Sequence, residues 1–209
     1  LFRSTHQTPR FAQDGMEGVE RLIKLELKLL ADVGLIGFPN AGKSTFISHV
    51  SAARPKIADY PFTTLTPHLG VVKHGDAPSF VVADIPGLIS GAHEGMGMGI
   101  QFLRHVERTT VLLHIIDISD EEHANAWKNF TAINSELELY NPQLIEKPQI
   151  VALNKIDLPE VRGKVKKTVA QFLKKGIILH PFSAVTGQGL QEILNKIITL
   201  LSKTDPLNP

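Results

Sequence analysis

Cysteine is absent from the 209 residues, which excludes disulfides and thiolate metal sites and fits a reducing compartment. An excess of charge is lacking too. The formal net charge is +1, so nothing global points to a nucleic acid or a membrane surface. No apolar run approaches the roughly 18–20 residues of a membrane span. Histidines are present but scattered, at 6, 49, 68, 74, 93, 105, 114, 123 and 180. None of their spacings suits metal ligation, so a histidine-built metal centre is not expected. Internal repeats and low-complexity tracts are missing as well.

What is present is an ordinary globular mixture, 43% apolar and 21% charged, long enough for one sizeable domain that buries about 70% of its unfolded surface. Residues 1–18 read as an irregular lead-in. Leu25, Leu27 and Leu29 then alternate with Lys24, Glu26 and Lys28. Period two predicts a strand, with a helix as the alternative because Leu22, Leu25 and Leu29 also fit helical spacing. The chain starts at Leu1 and is read as a piece of a longer protein.

From Val33 a regular pattern sets in. Apolar β runs are predicted at Val33–Phe38, Gly70–Lys73, Phe80–Ile85, Val111–Ile118, Ile150–Leu153 and Ile178–Phe182. Helices are predicted at Lys43–Ser51, Ile100–Arg108, Glu121–Tyr140, Val161–Lys174 and Leu190–Ser202. Strands alternating with helices imply parallel pairing and a sheet covered on both faces. The second and third strands are separated only by a short turn holding Gly75, Asp76 and Pro78, so they form an antiparallel hairpin. Lys164, Lys166, Lys167, Lys174 and Lys175 share one predicted helix and read as its solvated face. Ser202–Pro209 reads as a linker.

Residues 37–45 are Gly-Phe-Pro-Asn-Ala-Gly-Lys-Ser-Thr, a G-x-x-x-x-G-K-[ST] run between an apolar strand and a helix. Glycines let main-chain N–H groups from Pro39 to Thr45 (Asn40, Ala41, Gly42, Lys43 and Ser44 included, Pro39 lacking its own N–H) converge on phosphate oxygens. The helix start adds unpaired N–H groups and the positive end of its dipole. The Lys43 ammonium suits the β- and γ-phosphates, and the Ser44 hydroxyl suits Mg²⁺. This motif indicates a nucleoside triphosphate and not which base.

Asn154-Lys155-Ile156-Asp157 follows the strand Ile150–Leu153. That places Asp157 at the rim where open α/β sheets bind ligands. A carboxylate accepts two hydrogen bonds, and guanine offers N1–H and its 2-amino group as paired donors. The Lys155 stem can cover one face of the base, and Asn154 is expected to hold neighbouring loops together. Ser183-Ala184-Val185, after the last strand, can present backbone N–H groups to the guanine O6, or it is an ordinary turn.

Asp84-Ile85-Pro86-Gly87 ends the strand Phe80–Ile85. Asp84 can hold a Mg²⁺-bound water, and the Gly87 N–H can contact a γ-phosphate. Thr63 and Thr64 lie among the breakers Pro55, Pro61 and Pro67, and a threonine hydroxyl there can complete an octahedral shell or simply serve the turn. The stretch to Gly99 also holds Gly91, Gly95 and Gly97. Ordering so many glycines costs entropy that γ-phosphate contacts can offset, the alternative being a flexible surface loop.

Taken together, these residues resemble the Obg family of GTPases. The resemblance rests on residues 37–45, Asp59-Tyr-Pro-Phe-Thr-Thr-Leu65, Asp84-Ile-Pro-Gly-Leu88, Gly91–Gly99, Phe102-Leu-Arg-His-Val-Glu-Arg108, Asn154–Asp157 and Ser183-Ala184. It implies a three-layer α/β P-loop G domain over residues 31–203, with a six-stranded, mostly parallel sheet and one antiparallel edge hairpin. Residues 1–30 would then end a missing glycine-rich N-terminal domain, and residues 204–209 would lead to a missing C-terminal domain. The resemblance also implies Ser44, Thr64 (rather than Thr63) and Asp84 as the Mg²⁺ residues, and Lys43, Thr64 and Gly87 as catalytic. It implies GTP and GDP as ligands and a bacterial or organellar factor in large-ribosomal-subunit assembly and in growth or stress control; a cytoplasmic monomer with no membrane partner is expected.

The residue after Gly87 is Leu88, where Ras-like GTPases place a water-orienting glutamine. An apolar side chain cannot orient water, so slow hydrolysis is expected. Asn40 suggests a replacement. Its side-chain oxygen can hold a K⁺ against the phosphates and so join the catalytic set; the plainer reading is a turn residue. Arg104 and Arg108 are alternative charge donors, although their i, i+4 spacing on a predicted helix favours plain surface residues. A guanine-nucleotide sensor with incidental hydrolysis is the competing functional reading.

Overall fold

The computed structural model describes residues 15–23, 31–51, 56–57, 68–75, 77–84, 105–121 and 123–204. The strands are β1 (Ala31–Ile36), β2 (Lys56–Ile57), β3 (His68–Val72), β4 (Phe80–Asp84), β5 (Thr109–Ile116), β6 (Gln149–Leu153) and β7 (Leu179–Pro181). The helices are α1 (Lys43–Val50), α2 (Ala126–Tyr140), α3 (Pro159–Arg162), α4 (Val165–Leu173) and α5 (Leu190–Thr204), with a 3₁₀ turn at Pro142–Leu144. A further helical turn covers residues 105–107.

The sheet order is β2-β3-β4-β1-β5-β6-β7. β1 pairs in parallel with β4 and β5, and β6 pairs in parallel with β5 and β7. β3 runs antiparallel to β4, as the short turn demands. The six strands anticipated from Val33 onward are present, and the two-residue β2 extends the β3 edge, so the described sheet has seven strands where six were expected.

β5 shows why the sheet needs cover on both faces. Val111, Leu113 and Ile115 pack with Phe46 and Ile47 of α1 and Ile193 and Ile197 of α5. Leu112 turns the other way and joins Ile133 and Leu137 of α2. Ile116 completes that second layer with Phe130 of α2 and Phe172 of α4. Each fully buried large apolar side chain contributes about 1.5–3 kcal/mol.

Two helices differ from the anticipated ones by more than a residue or two at one end. The helix expected from Glu121 starts at Ala126, because Asn125 caps it and accepts a hydrogen bond from the Lys128 N–H at 3.1 Å. An asparagine side chain is among the best partners for such an orphan donor. The helix expected over Val161–Lys174 is two, α3 and α4, with Gly163 and Lys164 between them. Glycine is about 1 kcal/mol worse than alanine inside a helix. The five lysines named above are all exposed, and Lys175 lies over the Trp127 ring at 5.5 Å. Leu22 and Ile23 are exposed and outside any strand; the strand anticipated at Leu25–Leu29 lies outside the described residues.

His114 sits fully buried in β5, stacked on Phe130 at 5.3 Å. Its Nδ1 lies 3.2 Å from the Gln149 amide nitrogen, and its Nε2 has no partner among the described residues. Burial pushes its pKa to about 3, with a smaller push from the Lys43 charge. The unfolded chain, with a histidine value of about 6.5, therefore binds more protons than the folded one. This contribution is complete above that value and is lost as pH falls toward the folded one. Between pH 7 and pH 5 the loss should be about 2 kcal/mol. Urea denaturation at the two pH values should show it in the wild type and show a smaller loss in His114→Phe. An identical acid loss in both proteins would contradict the assignment.

Candidate functional site

β1, β4, β5, β6 and β7 run the same way, so their C-terminal ends form one rim. The turn after β1 begins at Gly37, whose φ is 153°. A Cβ there would stand 2.4 Å from the Ile115 carbonyl oxygen, so only glycine lets this turn lie against β5. Asn40 (φ 59°) and Gly42 (φ 96°) are both left-handed and curl the chain into α1. A Cβ on Gly42 would meet the Asn154 side-chain nitrogen at 2.1 Å. Ala41 is buried, whereas Pro39, Asn40, Ser44 and Thr45 are on the accessible side of the turn.

The Lys43 ammonium donates to the carbonyls of Gly37 at 2.9 Å and Phe38 at 3.0 Å. Burial lowers its pKa from the ordinary lysine value, and the Asp84 charge opposes this. Its charge is underserved by its surroundings, which suits it to a polyanion. The first N–H groups of α1 have no intrahelical partners, and no acidic residue occupies its first turn.

Ser44 Oγ donates to Asp84 Oδ2 at 2.6 Å. Asp84 is buried at the end of β4, and its Oδ1 has no partner among the described residues. A hydroxyl beside a carboxylate with an unused oxygen is a hard-cation donor set. Among the described residues no group of three His, Asp or Glu could hold a metal, so a full shell here needs oxygens from elsewhere. Thr63, Thr64, Gly87, Leu88, His93, Arg104 and the stretch Gly91–Gly99 lie outside the described residues. Arg108 is exposed and its carbonyl accepts from the Ala31 N–H at 3.4 Å. It therefore sits at the opposite end of the sheet and is no charge donor at this rim.

Asn154 joins three segments. Its backbone N–H bonds to the Ile116 carbonyl at 2.8 Å. Its side-chain nitrogen donates to the Ala41 carbonyl at 2.8 Å, and its Oδ1 accepts from the Ala184 N–H at 2.9 Å. Asp157 Oδ1 is buried and has no partner among the described residues. A buried acceptor left so costs about 1–3 kcal/mol until a donor reaches it. The Ser183 N–H is bonded to the Gln188 carbonyl. With the Ala184 N–H taken by Asn154, the Val185 N–H is the one of the three without a protein partner among the described residues.

Sequence reasoning missed Asp117 and Ser119. Lys155, itself left-handed at φ 62°, places its ammonium 2.6 Å from Asp117 Oδ2 and 3.2 Å from Ser119 Oγ. The available signal was positional: Asp117 is the first polar residue after an apolar strand at the ligand rim, and the D-x-S spacing suits a local turn. Sequence reasoning also missed that Phe38 of the turn stacks on His123 at 4.7 Å. A cavity of about 10 Å³, room for one water, opens beside them and His114.

Residues 32–155, more than half of the chain, match the family described as 50S ribosome-binding GTPase. The GTPase Obg of Syntrophus aciditrophicus is 68% identical over 195 residues, covering 93% of this chain and 57% of that protein. The GTPase Obg of Desulforudis audaxviator is 54% identical, covering 99% of this chain and 48% of that protein. The chain thus spans about half the length of the curated relatives it matches. Among solved structures, the G domain of the Thermotoga maritima FeoB iron transporter superposes with a TM-score of 0.60 at 22% identity, covering 80% of this chain and 96% of that one. A point variant of Aquifex aeolicus Era bound to GDP·AlF₄⁻ gives 0.58 at 25% identity, with 86% and 59% covered. With a parallel sheet, a glycine turn closing on α1 and Asn154 tying that turn to the β6 and β7 loops, this chain belongs to the 50S ribosome-binding GTPases, and within them to the Obg group.

Proposed function

We propose that this chain is the nucleotide-binding domain of a GTP/GDP switch that binds GTP with Mg²⁺ and hydrolyses its γ-phosphate with water. The observation that carries the reading is the pairing of two half-sites. Asn154 locks the turn at Ala41 to the loop at Ala184, while the buried Asp157 Oδ1 beside it lacks a donor among the described residues. Paired guanine donors would satisfy that oxygen, and adenine would not.

On this reading the amides of Asn40–Thr45 and the Lys43 ammonium hold the phosphates, with Gly87 contacting the last of them. Asp157 reads the base edge, the Lys155 stem covers its face, and the Val185 N–H is the amide open to O6. Ser44, Asp84 and Thr64 would hold Mg²⁺, which would supply positive charge to offset that of the phosphates. Residues 1–30 and 204–209 would be remnants of flanking domains, and the working site would be the large ribosomal subunit in the cytoplasm.

Leu88 cannot orient water, so intrinsic turnover should fall in the range of about 10⁻⁴ to 10⁻² s⁻¹. Asn40 is exposed and left-handed, and its side-chain oxygen is open to a K⁺ that stands in for an arginine finger. Turnover should be at least severalfold faster in KCl than in NaCl at equal ionic strength, a fraction of the roughly 10³–10⁵ that a full arginine finger supplies. Equal rates would remove K⁺ from the account. The same Leu88 favours a second reading, a nucleotide sensor with incidental hydrolysis. Single-turnover hydrolysis with and without 50S particles separates the two: large stimulation supports the switch, and an unchanged rate supports the sensor.

A further inference from the structure

We infer that Asp117 is a positioning residue for base recognition. It acts by holding the Lys155 side chain in place from the neighbouring strand. The inference rests on the nucleotide site proposed above. β5 and β6 are paired so that Ile116 lies beside Leu153. The residue that follows β5 is Asp117, and the two that follow β6 are Asn154 and Lys155. Topology thus brings a carboxylate alongside the lysine of the base-reading tetrapeptide.

The carboxylate is itself held. Asp117 Oδ1 accepts the Ser119 N–H at 2.9 Å, and Oδ2 accepts the Ser119 hydroxyl at 2.9 Å. The same Oδ2 meets the Lys155 ammonium at 2.6 Å, and that ammonium also reaches Ser119 Oγ at 3.2 Å. Asp117 is the more buried partner, its side chain 11% exposed against 29% for Lys155. Lys155 is therefore pinned at both ends. Its backbone is set in the left-handed region (φ 62°), which non-glycine residues seldom occupy, and its ammonium is anchored to the end of β5.

A four-carbon stem normally samples many rotamers, and ordering it against a flat ligand costs binding energy. Pinned at both ends, the stem is a preformed wall. The anchor also keeps the ammonium from swinging to the phosphates, where Lys43 already serves. Asp117 and Ser119 thus contribute to recognition of the nucleoside, and their effect is independent of the number of phosphates.

The test is a double-mutant cycle on the 209-residue chain, reading GDP and GTP affinity by fluorescent-nucleotide displacement. Asp117→Asn keeps the shape and removes the charge, and it should weaken GDP and GTP by the same factor, about tenfold. Lys155→Met should cost a similar factor. The double variant should be no weaker than Lys155→Met alone, because without the ammonium the anchor has nothing to hold. A general structural role for Asp117 would instead multiply the two losses, and that result, or no loss in Asp117→Asn, would overturn the inference. Should Asp117→Asn not fold, Ser119→Ala keeps the charge and removes one leg of the anchor. Its smaller loss should likewise vanish in the Lys155→Met background, and a loss that persists there would overturn the inference. Wild-type protein that bound neither nucleotide would sink the site reading itself, a distinct outcome.

Discussion

Replacing Lys43 by alanine should weaken GTP and GDP binding by roughly a hundred- to a thousandfold while leaving the fold intact. Truncating one partner of a buried, hydrogen-bonded charge pair costs about 2–5 kcal/mol, and each 1.4 kcal/mol is about a tenfold change. In this structure the ammonium donates to two neutral carbonyls, those of Gly37 and Phe38. Its pKa is lowered by burial, so the fold holds a cation there at a cost in stability. A triphosphate offsets that cost and alanine avoids it, which is why affinity falls while thermal stability should hold or rise. Titration calorimetry gives the affinity, and a thermal melt of the same sample gives the stability. A variant that bound GDP normally would place the phosphates elsewhere; one that unfolded would show that Lys43 is structural.

Asp157→Asn should reverse the choice of base. The buried Oδ1 of Asp157 has no donor among the described residues. Guanine offers two, N1–H and the 2-amino group, to one carboxylate. An asparagine amide presents one acceptor and one donor instead, so the 2-amino group would face another N–H. Xanthine carries a carbonyl at that carbon and matches the amide. Sites built around such bonds reject a mismatched partner by up to about 10⁴-fold because a buried polar group is left unpaired. GDP affinity should fall on the order of a thousandfold, and XDP should become the preferred ligand. Competition between the two diphosphates measures this directly. Equal weakening of both would mean that Asp157 supports the loop and does not read the base.

The sheet was legible because its signals are local and repeated. The apolar runs are short, the spacing between them is helical, and the hairpin turn between β3 and β4 leaves no room for a crossover. Even the order of chemical motifs along the chain follows from the parallel topology, since every ligand-bearing turn comes after a strand. Boundaries set by one side chain were harder. Asn125 starts α2 through its own cap, and Gly163 divides what periodicity reads as one helix.

The contacts within the site were less legible, because they join residues far apart in sequence. The sequence points only to the Lys155 stem; its anchor, Asp117, follows the adjacent strand and becomes visible only when β5 and β6 are paired. The Ser183-Ala184-Val185 turn shows the same limit. Sequence offers three equivalent amides, whereas the structure commits the first to Gln188 and the second to Asn154.

A crystal structure of the chain with a non-hydrolysable GTP analogue and Mg²⁺ tests the central claim most directly. The phosphates should lie in the turn from Gly37 to Thr45, with the Lys43 ammonium moved from the Gly37 and Phe38 carbonyls onto them. The base edge should face Asp157. Density for the analogue at any other place, with Lys43 still on those carbonyls, would contradict the account.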